Sequence, residues 1–103
     1  MSLFGVIKMK LYLISQDIND GSEAFDSAVV AAESENDART IHPAGSCVYT
    51  NGREWLALDS YGYVHEYHYN DWLPYKYINK IKVECIGVTT KDRGVICASF
   101  NAG

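Results

Sequence analysis

The chain has 103 residues, a hydrophobic fraction of 48%, a charged fraction of 21% and a formal net charge of −4. This length is typical of a single domain, and the composition is that of a globular protein rather than a disordered chain. Lysine and arginine form no run or stripe, which disfavours nucleic acid and anionic membrane surfaces as partners. We therefore predict one domain over residues 1–103 with neither kind of partner.

The cysteines are three in number and widely spaced, at Cys47, Cys85 and Cys97, without a C-x-x-C pair. This pattern predicts reduced thiols in a cytoplasm rather than a disulfide framework. Cys85 and Cys97 lie in apolar stretches, so we expect them to be buried and unreactive. The apolar stretch within residues 1–8 is too short for a signal-peptide core, and we expect a leader ahead of the first strand or a non-native start.

The two ends of the chain have the apolar patterns of β-strands. Residues 9–15 and 25–32 predict an antiparallel pair, because a polar turn with Asn, Asp and Gly separates them. Residues 80–88 and 94–100 predict two further strands joined by a short turn. We expect these last two strands to form a hairpin with each other.

One short helix is predicted between the second strand and the middle of the chain. Ser34 stands at its N-cap, Asp37 takes the capping-box position, and Pro43 ends the helix near His42 after about two turns. Four or more antiparallel strands with this helix on one face define a two-layer α+β architecture. A short exposed edge of such a sheet would permit a homodimer.

The middle of the chain, residues 44–79, is rich in aromatic residues. Residues 55–58 and 63–69 predict the arms of a hairpin, and residues 70–79 predict a loop or a single helical turn. Alternation along a strand places four side chains of the second arm on one face. These are Tyr63, His65, Tyr67 and Tyr69.

Two interpretations of this aromatic region remain open. The rings could simply cover the sheet of a small domain, or they could form a binding surface. Tyrosine and tryptophan combine a large rigid contact area with a polar group, and they are concentrated at interfaces. The candidate binding residues are Arg53, Trp55, Tyr63, His65, Tyr67, Tyr69 and Trp72.

No pattern in the sequence predicts a catalytic residue, a metal ligand or a cofactor. His65 and His68 form an H-x-x-H, but on a strand they point to opposite faces. Cys47 follows His42 in a loop, which is the only arrangement of a thiol near a base. The polar turn at 17–23 lacks the ligand spacing of an EF-hand, and no nucleophile elbow, P-loop or dinucleotide fingerprint is present.

Several stretches of the chain carry a resemblance to a known family. They are M-K-L-Y-L-I-S-Q at 9–16, F-D-S-A-V-V-A-A-E-S at 25–34, A-R-x-I-H-P at 38–43, Trp72, K-V-E-C-I-G at 82–87 and G-V-I-C-A-S-F-N-A-G at 94–103. Together they cover roughly two thirds of the chain and resemble an uncharacterised family of small phage and prophage proteins. The resemblance implies a phage-type accessory protein in a bacterial cytoplasm, and it implies no activity.

Three functions are compatible with these features. The first is a non-catalytic binding module that docks a host protein through the aromatic surface, or associates with itself. The second is a protein that binds or sequesters a small ligand such as a nucleotide between aromatic rings, for which a phosphate site would need nearby cations or free backbone N–H groups. The third is a small enzyme.

Overall fold

The structure is a computed structural model that describes residues 9–19 and 21–101. The expectation for residues 1–8 lies outside this range. The elements in chain order are β1 (Met9–Ser15), β2 (Ala24–Ala32), α1 (Glu35–Arg39), β3 (Val48–Thr50), β4 (Trp55–Leu58), β5 (Val64–Glu66), a 3₁₀ helix (Tyr75–Lys80), β6 (Lys82–Thr89) and β7 (Gly94–Asn101). The predicted terminal strands and the short helix are therefore present, with small differences in their bounds.

The described strands form two antiparallel sheets. One sheet has the order β6-β1-β2-β7, and the other has the order β3-β4-β5. In the larger sheet β1 and β2 pair as predicted, with Leu13 opposite Val29. Antiparallel sheets with little helix make this an α+β chain that is mostly β, which confirms the predicted class in its coarse form.

The predicted hairpin between the last two strands is wrong. β6 pairs with β1 and β7 pairs with β2, so the two strands lie at opposite edges of the sheet. Residues 90–93 connect β6 to β7 by passing the ends of β1 and β2. The two edge strands are three strand spacings apart, roughly 14 Å, and an extended chain of this length can span that distance. Sequence adjacency suggested a hairpin, but the more apolar β1 and β2 take the central positions.

The helix begins as predicted and ends early. The Ser34 Oγ accepts a hydrogen bond from the Asp37 backbone N–H at 3.1 Å. The Asp37 carboxylate accepts in turn from the backbone N–H of Glu33 at 3.0 Å, one residue before the cap. The backbone N–H groups of Thr40 and Ile41 bond to carbonyls three residues back, which tightens the last turn and ends the helix at Arg39 instead of near His42.

The hydrophobic core joins residues of both sheets, of the helix and of residues 72–81. Its buried members are Tyr12, Ile14, Ala28, Val30, Ala32, Ala38, Ile41, Val48, Trp55, Trp72, Leu73 and Ile81. The helix α1 lies against β1, β2 and β6. Within the described residues, no helix is long and apolar enough to cross a membrane.

The prediction that Cys85 and Cys97 are buried is wrong. Both thiols are exposed, as is that of Cys47. Cys85 belongs to β6 and Cys97 belongs to β7, the two edge strands, where most side chains remain accessible. An apolar sequence predicts burial only when another element covers the strand, and that information is absent from the strand itself.

Candidate binding cleft

A cleft of about 340 Å³ opens beside the aromatic middle of the chain. Its walls come from the first residue of β4 and the two residues before it, from the last residue of β5 and residues 67–70, and from residues 72–76. Its aromatic lining consists of Trp55, Tyr67, Tyr69, Trp72 and Tyr75, with the ring of His42 among them. This volume lies at the lower end of the roughly 300–1,000 Å³ found for ligand pockets.

Residues 70–72 are held in place by hydrogen bonds to the β1–β2 connection and to β2. The side-chain Nδ2 of Asn19 donates to the backbone carbonyl of Asn70 at 2.8 Å and to that of Trp72 at 3.2 Å. The backbone N–H of Phe25 donates to the carbonyl of Asp71 at 2.8 Å. One wall of the cleft is therefore attached directly to the large sheet.

His42 lies at the inner end of the cleft and is only 1% exposed. Its ring meets those of Tyr67 and Trp55 edge to face, with centroids 4.8 and 5.0 Å apart. Burial lowers the pKa of His42 from 6.5 to about 4, so the ring is neutral at pH 7. Because Nδ1 accepts the backbone N–H of Ala44 at 3.0 Å, the single ring proton belongs to Nε2.

Tyr67 and Asp71 extend this buried network towards the surface. The Tyr67 hydroxyl donates to Oδ2 of Asp71 at 2.6 Å. Burial, followed by this hydrogen bond, raises the pKa of Tyr67 above its usual range. The other oxygen, Oδ1, is 3.5 Å from Nε2 of His42, and it has no hydrogen-bond partner among the described residues. The hydrogen bond between Tyr67 and Asp71 fixes the orientation of the Tyr67 ring in the wall of the cleft.

The two tryptophans form the inner wall of the cleft and are buried in the core. Trp55 donates its Nε1–H to the carbonyl of Leu73 at 3.1 Å and meets the ring of Tyr75 edge to face at 5.4 Å. Within the described part of the chain, Nε1 of Trp72 lacks a hydrogen-bond partner. Most of the surface of each tryptophan is therefore inaccessible from the cleft.

Tyr69 forms the outer wall and stands free of the core, with 77% of its surface exposed. Its ring lies 5.5 Å from that of Tyr67. Tyr69 and Asn70 also line a second depression of about 460 Å³, on whose far side lie Glu23 and Phe100. The two residues thus make a ridge, called here the Tyr69 ridge, between two depressions.

The structure brings together in the cleft five of the seven residues singled out from the sequence: Arg53, Trp55, Tyr67, Tyr69 and Trp72. Tyr63 and His65 do not line it. The regular part of β5 is only three residues long, so the alternation expected along 63–69 is not maintained. His65 instead contacts Asp59 across the hairpin turn, with 2.6 Å between Nε2 and Oδ2. The backbone N–H of Tyr63, and then His65, lower the pKa of Asp59.

Sequence reasoning did not identify His42 and Asp71 as parts of this site. The sequence suggests His42 only as a base for Cys47, and nothing in the pattern around it signals complete burial. Asp71 precedes Trp72, and a carboxylate next to a large aromatic residue in a non-repetitive segment is a weak signal for a buried contact. These two residues come together from positions 29 apart in sequence, through the fold of the large sheet.

The rim of the cleft carries charges of both signs. Arg53 and Lys76 contribute cations, and Glu54 and Glu66 contribute carboxylates. Two positive and two negative side chains make the net charge of the rim close to zero.

Among the described residues, no group of three or more histidine, cysteine, aspartate or glutamate side chains is placed to hold a metal ion.

Comparisons with protein-family models, with curated proteins and with solved structures find no match for this chain. Any function proposed for the chain therefore rests on the cleft and its residues.

Proposed function

We propose that this chain is a non-catalytic binding protein that docks a protein partner through the cleft and the Tyr69 ridge. The proposal rests on one observation: Tyr69 is 77% exposed and stands on a ridge between two depressions, of about 340 and 460 Å³. A large apolar ring held in solvent is a favourable anchor, because burying it in a partner removes its surface from water. Depressions on both sides of the ring offer space for side chains of the partner.

The charges of the rim favour a protein partner over a nucleotide. Arg53 and Lys76 lie beside Glu54 and Glu66, so the two carboxylates offset the cations that a phosphate would require. A protein surface with charges of both signs is complementary to such a rim. A small uncharged aromatic ligand is the second candidate, and the ring-lined walls of the cleft favour it.

The wider setting of this function belongs to the same proposal. We propose a phage-type accessory role in a bacterial cytoplasm, because the family resemblance over roughly two thirds of the chain implies it, and we propose a host protein as the partner. For the architecture we propose two layers, with the helix on one face of the large sheet. Support for this arrangement comes from the position of α1 against β1, β2 and β6.

The test compares two exposed tyrosines that differ in their position. Tyr69 stands on the ridge, whereas Tyr61, 85% exposed, stands on the turn between β4 and β5 and lines neither depression. Tagged wild type, Tyr69→Ala and Tyr61→Ala are incubated with bacterial lysate, and captured proteins are identified by mass spectrometry. The captured protein is then purified, and its dissociation constant for each variant is measured by calorimetry.

We expect Tyr69→Ala to weaken binding of the purified partner at least about tenfold, the loss typical of an interface anchor, while Tyr61→Ala binds as wild type does. Equal binding by all three proteins would refute docking through the ridge. If no protein is captured but planar aromatic compounds raise the melting temperature of wild type and not of Tyr69→Ala, the small-ligand alternative is correct.

A further inference from the structure

The two edges of the four-stranded sheet differ in charge. β6 carries Lys82 and Glu84, and Nζ of Lys82 lies 3.5 Å from a carboxylate oxygen of Asp17. β7 has the sequence G-V-I-C-A-S-F-N and carries no charge along its eight residues. Charged side chains are a common means by which proteins keep sheet edges from pairing with other chains. Only the β6 edge has this protection.

The β7 edge is also apolar and exposed. No other strand of the described residues lies on its outer side. Ile96 is 38% exposed and Phe100 is 47% exposed. Its pairing with β2 shifts register twice, at Ile96 of β7 and at Asp26 of β2, and is regular from Cys97 to Ser99. A long uncharged apolar edge of this kind favours the addition of another strand.

We propose that β7 pairs with β7 of a second copy of this chain, antiparallel and about a two-fold axis. The pairing would join two four-stranded sheets into one sheet of eight strands, with a charged β6 edge at each end. A second copy fits because its β7 is equally long and uncharged. Two chains of net charge −4 can therefore pair along β7 without placing like charges opposite each other. The two-fold axis uses both β7 edges and closes the assembly as a dimer.

The two-fold axis also restricts the register of this pairing. Residues directly opposite each other in antiparallel strands project to the same face, and an axis perpendicular to the sheet keeps each side chain on its own face. In the regular part of β7 beyond the bulge, Cys97 can therefore face Cys97 or Ser99 of the second copy, but not Ala98. The two Cys97 thiols then lie opposite each other or are offset by two residues.

The test uses isoleucines that occupy equivalent positions on the two edges. Ile96 is the bulged residue of β7, and Ile86, 48% exposed, is the bulged residue of β6. The mass of wild type, Ile96→Lys and Ile86→Lys is measured by light scattering after size exclusion, at micromolar concentrations and above. We expect twice 11.5 kDa for wild type and for Ile86→Lys, and 11.5 kDa for Ile96→Lys.

Two further measurements separate dissociation from unfolding and locate the interface. The fluorescence of the buried Trp55 and Trp72 should be unchanged in each variant, and Ser99→Lys should give the same monomeric mass if Ile96→Lys proves unfolded. A protein that retains Cys97 as its only thiol should be joined into dimers by a short bis-maleimide. The matched protein that retains only Cys85, on β6, should not.

A wild-type monomer at the highest concentration would overturn the proposal. So would loss of the dimer in Ile86→Lys with its retention in Ile96→Lys, or cross-linking through Cys85 and not through Cys97. The proposal does not depend on the proposed function, because Tyr69→Ala should bind its partner weakly and still have the mass of a dimer.

Discussion

The free energy of unfolding should fall when the solution is acidified, and His42 should cause most of the fall above pH 5. Its ring is 1% exposed and its pKa in the folded chain is about 4, against 6.5 in its ordinary environment. The unfolded chain therefore binds a proton at a pH where the folded chain does not. The stabilising contribution is complete above pH 6.5 and is lost as the pH falls towards 4.

The expected magnitude follows from these two pKa values. Between about pH 7.5 and pH 5 the free energy of unfolding should decrease by roughly 2 kcal/mol, since one additional proton is bound by the unfolded chain over most of this interval. Asp71 acts against this effect, because an ionised carboxylate 3.5 Å from Nε2 favours the protonated ring. The value of 2 kcal/mol is therefore an upper estimate.

The assay is urea unfolding followed by tryptophan fluorescence at several pH values between these limits. His42→Asn should lose most of the pH dependence, because its Oδ1 can still accept the N–H of Ala44 but cannot titrate. His68→Asn is the matched control, since His68 is exposed, and it should behave as wild type does. The same pH dependence in wild type and His42→Asn would refute this account of the buried ring.

Two further substitutions test local features of the structure. Tyr67→Phe should lower the free energy of unfolding by roughly 1.5–3 kcal/mol, because it leaves the Asp71 carboxylate without its 2.6 Å hydrogen bond. Urea unfolding at neutral pH measures this change, and a decrease below about 0.5 kcal/mol would contradict the expectation. Ser34→Ala should cost about 1 kcal/mol through loss of the N-cap of α1, whereas Ser34→Asp should retain it, and equal stability of all three proteins would show that this cap contributes nothing.

Local chemistry was sufficient to predict the regular elements at the two ends of the chain. Strands at 9–15 and 25–32 follow from apolar alternation on either side of a polar turn, and Ser34 marks the helix start because its hydroxyl satisfies a backbone N–H. The partners of β6 and β7 did not follow in this way. Each has the pattern of a strand, but whether two such strands pair depends on which others compete for the centre of the sheet.

The candidate site could be predicted only in part, because it too depends on contacts between segments that are distant in sequence. Aromatic composition identified the segment that contains the cleft, since rings concentrated within few residues must either be buried or bind something. It could not separate these roles residue by residue. Trp55 and Trp72 are core residues, while Tyr69 is exposed. The backbone of residues 70–72 is held by hydrogen bonds from Asn19 and Phe25, which lie far away in sequence and which no local pattern predicts.

This division of roles decides which substitutions can report on binding. Trp55 belongs to the core and to the cleft wall at once, and truncating a buried tryptophan to alanine typically costs about 3–5 kcal/mol. A domain of this size has a total stability of only about 5–15 kcal/mol, so loss of binding in Trp55→Ala could reflect unfolding alone. Tyr69 carries no such ambiguity, because its exposed ring contributes little to the core. The proposed recognition site has walls made of core residues, so it must be probed from its exposed ridge.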